Sequence, residues 1–273
     1  MLIIGYLYGG NMKLAIIGSG VMGSAFAKAL SKKYEIGIVG RSEEKVAAFL
    51  QNHNVRKVSI EQAFAEYSWV ILAIKQKDLA AFAQKHAKLC RKETIIVSLL
   101  AGISQQTLSE LFTFAKIVRV MPNLPITCGS GVVGVVSSED ASLQDTIKEL
   151  FSSLGLVYFL PETLMDSFTA VCGSSPAFIL AMIDAMIEGA VALGIPGKDA
   201  KELVMQSFLG TVNLLQQTKE HPAVLKMNVC SPGGTTIAGL EEMEKHAFRS
   251  CIFQTLHATA SRSKELSRFV KND

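Results

Sequence analysis

Two glycine-rich segments of this chain combine residue types and spacing that could do chemistry. The first is Gly18-Ser19-Gly20-Val21-Met22-Gly23. In a GxGxxG sequence of this kind the first glycine permits a tight turn and the second lets backbone approach a pyrophosphate. The third lets a helix close onto a sheet, while the free N–H groups of that helix face the phosphates. A glycine-rich βα turn without a ligand is the alternative. The apolar run Leu14–Ile17 before the loop and the helical pattern Val21–Leu30 after it favour the dinucleotide. The second segment is Val229-Cys230-Ser231-Pro232-Gly233-Gly234-Thr235-Thr236. A stiff proline turn with two bare glycines ahead of a helix is a cradle for an anion such as a carboxylate, with hydroxyls from Ser231, Thr235 and Thr236 close by. An interhelical turn with ordinary N-caps would read the same way locally.

The second apolar strand, Ile36–Val39, ends in Gly40-Arg41-Ser42, with no carboxylate until Glu43. An acidic residue about 20 positions past the loop would select NAD through the ribose hydroxyl. Arg41 and Ser42 instead suit a 2′-phosphate, so NADPH is the expected cofactor, with NADH as the alternative and a solvated loop arginine as the plain reading. Ala73 and Lys75 close a later strand, at the strand end where an open α/β sheet meets its ligand.

The elements that must hold these loops are legible as alternation. Short buried strands at Trp69–Ile74, Thr94–Ser98 and Lys116–Met121 alternate with helical patches, a pattern of βαβ units in a parallel, doubly wound Rossmann-type sheet. Val132–Val136 and Gly155–Phe159 extend it. After Pro161 only helices are expected: Ala177–Leu193, Lys198–Gln217, and a stretch from Thr235 to the basic C-terminus. The chain is therefore expected to divide into a nucleotide-binding domain, 12–161, and an all-helical domain, 162–273. Helix Ala177–Leu193 is apolar around most of its circumference, which calls for burial in a core or against another subunit. Met1–Asn11 precede a natural start at Met12 and are expected to have no role.

Composition narrows the class. Of 273 residues, 49% are hydrophobic and 19% charged, as in a packed globular protein. The 27 basic and 24 acidic residues balance too evenly for a nucleic-acid surface. The five cysteines include no CxxC pair and read as reduced, mostly buried thiols of a cytoplasmic protein, and the histidines lack metal-ligand spacing. No apolar run reaches the ~20 residues of a membrane span.

Three segments in order, Met121-Pro122-Asn123-Leu124-Pro125, Gly173-Ser174-Ser175-Pro176-Ala177-Phe178 and the SPGGTT turn, resemble the pyrroline-5-carboxylate reductase family from about Met12 to the last helix. Ser175 and Phe178 stand where that family has glycine and tyrosine, Gly40 where it has asparagine, and Gln76 where it has proline. The resemblance implies a five-membered cyclic imine carboxylate as substrate. Ser231 and the backbone of Gly233, Gly234 and Thr235 would take its carboxylate, and Thr236 its ring nitrogen. Asn123 and the backbone of Met121 and Ala101 would line the nicotinamide side. The resemblance also implies helices interlocked in a homodimer, with rings of dimers beyond it. The sequence offers no His–Asp or Cys–His pair for acid–base work, and an imine that arrives protonated needs none. The β-hydroxyacid dehydrogenases and ketopantoate reductases, the nearest rivals, use a lysine on the first C-terminal helix, and Ala170–Leu193 contains no lysine. A cyclic imine reductase for a different ring, or a non-catalytic NADPH sensor, would carry the same glycine loop; a sensor would need neither Thr236 nor the SPGG turn.

Overall fold

The computed structural model describes residues 12–40, 46–47 and 54–269. Met1–Asn11, Arg41 and Ser42 lie outside the described residues. The described chain falls into two compact units, one of residues up to Ser174 together with those from Ala258 on, the other Ser175–His257.

The first unit is built on β1 (Lys13–Ile17), β2 (Glu35–Val39), β3 (Val55–Lys57), β4 (Trp69–Leu72), β5 (Ile95–Ser98), β6 (Lys116–Pro122), β7 (Gly131–Val136) and β8 (Gly155–Leu160), in one sheet of order β3-β2-β1-β4-β5-β6-β7-β8. Its helices are α1 (Val21–Leu30), α2 (Ile60–Glu66), α3 (Leu79–His86), α4 (Gln105–Leu111), α5 (Ala141–Phe151) and α6 (Met165–Phe168). Alternate residues of each central strand feed opposite cores. Leu14, Ile16, Trp69 and Ile71 pack with Phe26, Leu30 and Phe151 on one face. Ala15, Ile17, Val70 and Leu72 pack with Phe64, Leu79 and Phe112 on the other. Burial on both faces explains why these strands read as unbroken apolar runs. Each fully buried Leu, Ile or Phe side chain contributes about 1.5–3 kcal/mol.

Three expectations need correction. The sheet is not wholly parallel, because β6 and β7 pair antiparallel. Their link, Asn123–Ser130, is shorter than the dozen or so residues a parallel crossover requires, so the chain can only turn back. Strand β3 has no apolar signature in the sequence because only Val55 of its three residues is buried. The cysteines are not mostly buried: Cys90 is, but Cys172 and Cys230 are half-buried and Cys128 and Cys251 are exposed.

The helical elements are α7 (Ser175–Ala192), α8 (Gly197–Thr218), α9 (Pro222–Asn228), α10 (Thr235–Lys245) and α11 (Phe248–Phe269), the last running from the second unit back into the first. The expected continuous helix from Thr235 breaks at Ala247, whose φ of 52° no α-helix accommodates. Helix α9 adds to the expected helices. Pro222 stands at its first position, and the His221 ring caps it by accepting from the Ala223 N–H at 3.2 Å. No residue of α7 is buried, and Leu180, Met186, Leu203 and Leu209 of α7 and α8 are exposed. The helical run Glu162–Ala192, longer than its sequence pattern indicated, is long and apolar enough to cross a membrane by length and composition.

Inside the first unit, burial pushes the thiol pKa of Cys90 up from 9.0 to about 11. The folded state thus favours the neutral thiol. The stability this adds is whole below pH of about 9 and is lost as pH rises from there through about 11. We expect Cys90 to resist Ellman's reagent at pH 8 until the protein is denatured, while exposed Cys128 reacts in the native state. Equal labelling of both in the native protein would contradict this.

Candidate functional site

The carboxyl ends of β1, β2 and β4 lie level, with Ile17 in register with both Val39 and Leu72. The strand order runs outward in both directions from β1 and β4, which makes their junction the topological switch point where open α/β sheets take ligands. A cleft of about 500 Å³ opens there, lined by Gly18, Ser19, Gly20, Gly40, Ala73 and Lys75 among others.

The glycines of this turn have separate duties. Gly18 has φ of 118°, and a Cβ on it would overlap the Ala73 carbonyl. A Cβ on Gly23 would overlap the Gly18 carbonyl, so α1 can sit this close to the strand ends only without a side chain there. Gly20 differs. It is the N-cap of α1 in an extended conformation, and a Cβ on it would meet nothing within 4 Å. The bare face of Gly20 is room for a ligand, and no side chain caps α1 to compete for its first N–H groups. Val21 and Met22 follow in the first turn of that helix.

A Cβ at position 40 would stand 2.8 Å from both the Ser19 Cβ and the Val46 Cγ2, so a side chain there requires these neighbours to shift. The asparagine suggested by the family resemblance would compete for this space with the Ser19 side chain. Lys75 is exposed on the cleft rim and precedes a 3₁₀ turn, Gln76–Asp78. Ile60, Asp78 and Phe82 complete the wall, beyond the residues expected from sequence. Ile60 and Phe82 look like ordinary helix-face residues, whereas the rule that ligands meet strand ends could have singled out Asp78.

The residues expected on the nicotinamide side also lie in this unit. Asn123 is buried and its side chain is committed to backbone. Its Nδ2 donates to the Cys172 carbonyl at 3.1 Å, and its Oδ1 accepts from the Val132 N–H at 2.8 Å. It thereby ties the end of β6 to β7 and to a π-helical turn, Thr169–Gly173. Met121 packs against Gly173 of that turn, where a Cβ would come 2.6 Å from the methionine Cε. The Ala101 carbonyl accepts a hydrogen bond from the Gln76 carboxamide.

The other set lies within the helical unit. Gly233 has φ of 67°, the left-handed region that favours glycine, and the Gly234 N–H donates to the Ser231 carbonyl at 3.0 Å. A Cβ on Gly234 would overlap the Ser231 Oγ, so the hydroxyl is seated on bare glycine. Gly234 is the N-cap of α10 and makes no side-chain cap, which leaves the first N–H groups ahead of Thr235 and Thr236 without one. The structure brings Ser231, Gly233 and Gly234 into one turn with Thr235 and Thr236 in the first turn of the helix after it, and Gly18, Ser19, Gly20, Ala73 and Lys75 to one cleft, whose lining does not include Val21, Met22 or Gly23. Arg41 and Ser42 fall outside the described residues.

A doubly wound sheet with a glycine turn at its switch point, followed by a helical unit, defines a two-part oxidoreductase of the nicotinamide-dinucleotide class. Residues 13–102 match the family model for NADP oxidoreductase, coenzyme F420-dependent, and residues 162–266 match that for pyrroline-5-carboxylate reductase dimerisation. A pyrroline-5-carboxylate reductase of Synechocystis is 38% identical over 94% of this chain and 99% of its own length. The Streptococcus pyogenes pyrroline-5-carboxylate reductase structure superposes with a TM-score of 0.83 at 31% identity, over 93% of this chain and 99% of that one. The NADP-bound Plasmodium falciparum pyrroline carboxylate reductase gives 0.86 at 26% identity, over 94% and 98%. The chain belongs to the pyrroline-5-carboxylate reductase family, and is an NAD(P)H-dependent oxidoreductase.

The glycine turn makes a separable prediction. Gly20→Ala should leave the melting temperature nearly unchanged, since its Cβ enters open space, yet weaken NADPH binding at least about tenfold by filling the ligand's side of the turn. Gly23→Ala should lose both binding and about 1–3 kcal/mol of stability through overpacking. Thermal melts paired with NADPH fluorescence titrations check this; tight binding by Gly20→Ala would contradict it.

Proposed function

We propose that the chain reduces the cyclic imine 1-pyrroline-5-carboxylate to L-proline with NADPH preferred over NADH. The observation that carries this reading is the turn at the head of α10, where Gly233 and Gly234 expose backbone beside Ser231 and two threonines. In it, Ser231 and the backbone of Gly233, Gly234 and Thr235 hold the substrate carboxylate, so the ring is anchored at one end. Thr236 then hydrogen-bonds the ring nitrogen and fixes the face of the C=N bond that is presented.

On the nucleotide side, Gly18, Ser19, Gly20, Val21, Met22 and Gly23 cradle the pyrophosphate, and Arg41 and Ser42 hold the 2′-phosphate. Ala73 and Lys75 border the cofactor, while Ala101, Met121 and Asn123 shape the nicotinamide side. Asn123 does so through its backbone, its side chain being engaged already. The bound dinucleotide supplies a hydride equivalent. The ring nitrogen already carries its proton when the imine arrives, so hydride addition to the adjacent carbon yields a neutral C–H and a secondary amine without a protein acid. What the chain contributes is orientation of two reactants and a polar handle at nitrogen.

In the same reading residues 12–161 are the nucleotide-binding domain and 162–273 the substrate-binding and dimerisation domain, the second starting where the dimerisation match starts. A second copy of the chain, rather than lipid, covers the bare apolar faces of α7 and α8, giving a homodimer and rings of dimers. The five free cysteines suit the cytoplasm.

Following NADPH oxidation with pyrroline-5-carboxylate, then repeating it with NADH, tests the reaction and the cofactor together. Faster turnover with NADPH is expected; a preference for NADH would overturn the reading of Arg41 and Ser42, and no turnover with either would overturn the reaction. Thr236→Ala should lower turnover about ten- to a hundredfold, the worth of a hydrogen bond to a charged group, with NADPH affinity unchanged. An undiminished rate would remove Thr236 from the mechanism.

A further inference from the structure

We propose that Gln76 is a positioning residue for the nicotinamide half of the cofactor, acting through the Ala101 carbonyl. The proposal rests on the reading above that the Ala101 backbone borders the nicotinamide.

Gln76 opens the 3₁₀ turn after β4, and its carboxamide Nε2 donates across to the Ala101 carbonyl in the loop after β5. That loop is held on its other side as well. Gly102, at φ of 69°, is wedged so closely that a Cβ on it would stand 3.1 Å from the Gln76 Nε2 and 3.2 Å from both the Ser263 carbonyl and the Leu266 Cβ of α11. Ser263 is buried and donates from its hydroxyl to Asp166 Oδ1 at 2.7 Å, which fixes that turn of α11 in place. The carbonyl of Ala101 and the Cα of Gly102 belong to one peptide plane, so a hydrogen bond at the first and close packing around the second hold the direction of the carbonyl.

A carbonyl oxygen has two lone pairs and Gln76 uses one. The other is free for a donor, and a primary carboxamide such as that of nicotinamide is a donor of the right kind. Gln76 thus aims an acceptor without touching the reacting atoms. A proline at this position, as the family resemblance leads one to expect, has no side-chain donor, so the grip is a property of this chain.

The test compares affinity for NADPH with affinity for 2′,5′-ADP, which has the adenosine half and no nicotinamide. Two variants are used: Gln76→Ala, and Gln76→Glu, which keeps the shape and replaces the donor with an acceptor at neutral pH. Both should raise the NADPH dissociation constant about three- to tenfold, the range of one hydrogen bond, and leave that of 2′,5′-ADP within about twofold. Turnover of bound NADPH should fall with it. A general loosening of the cleft would weaken both ligands alike, and that outcome overturns the proposal, as does NADPH affinity that neither variant changes. Failure of the underlying reading shows separately, as a parent protein that binds NADPH no more tightly than 2′,5′-ADP; that result would overturn both.

Discussion

Everything in the nucleotide unit depends on three stretches of backbone meeting where no side chain fits. The end of β1 at Gly18, the first turn of α1 at Gly23 and the residue after β4 at Ala73 close on one another within van der Waals reach. The contact sets how near α1 lies to the sheet and so where its unpaired N–H groups point. It also holds the ends of β1 and β4 side by side at the switch point, which opens the cleft. The positive φ of Gly18 is the conformational cost of that closeness, which glycine bears at little energy. The binding surface is therefore a by-product of packing, with Gly20 alone left facing open space.

The parts of this arrangement legible in the sequence are those with a period or a required residue type. Central strands announce themselves because both faces are buried, and the loop announces itself because at positions 18 and 23 a Cβ would overlap backbone. Parallel and antiparallel pairing is not encoded that way. The β6–β7 reversal follows from the shortness of Asn123–Ser130, a matter of chain length and not composition. Strand β3 carries Arg56 and Lys57 outward and so lacks an apolar signature. The break at Ala247 has no glycine to mark it, and the π-helical turn at Thr169–Gly173 is stabilised by distant groups such as Asn123.

Of the candidate site, the two glycine turns are readable in the sequence, whereas side-chain allegiance is not. Asn123 sits between two prolines as a ligand-facing residue would, yet both ends of its amide serve the backbone. A buried amide left unpaired would cost about 1–3 kcal/mol, so this structural duty dominates. Gln76 stands out only as a departure from a family pattern, and its partner 25 residues away can be found only in three dimensions. The buried Arg119, paired with Glu162, belongs to the same class: a charge in a central strand, neutralised by a residue at the start of the helical region.

The return of α11 to the first unit has a consequence for how the protein is made. Residues Ser175–His257 are an insertion between two pieces of a single folded body. During synthesis the sheet and its cleft leave the ribosome first, but the turn of α11 that steadies Gly102 is translated only after the whole helical insertion. The nucleotide unit therefore waits, with one side of its Ala101–Gly102 loop unsupported, until the later segment arrives. A nascent chain halted within the insertion would carry all eight strands of the sheet, with that loop held from the Gln76 side alone.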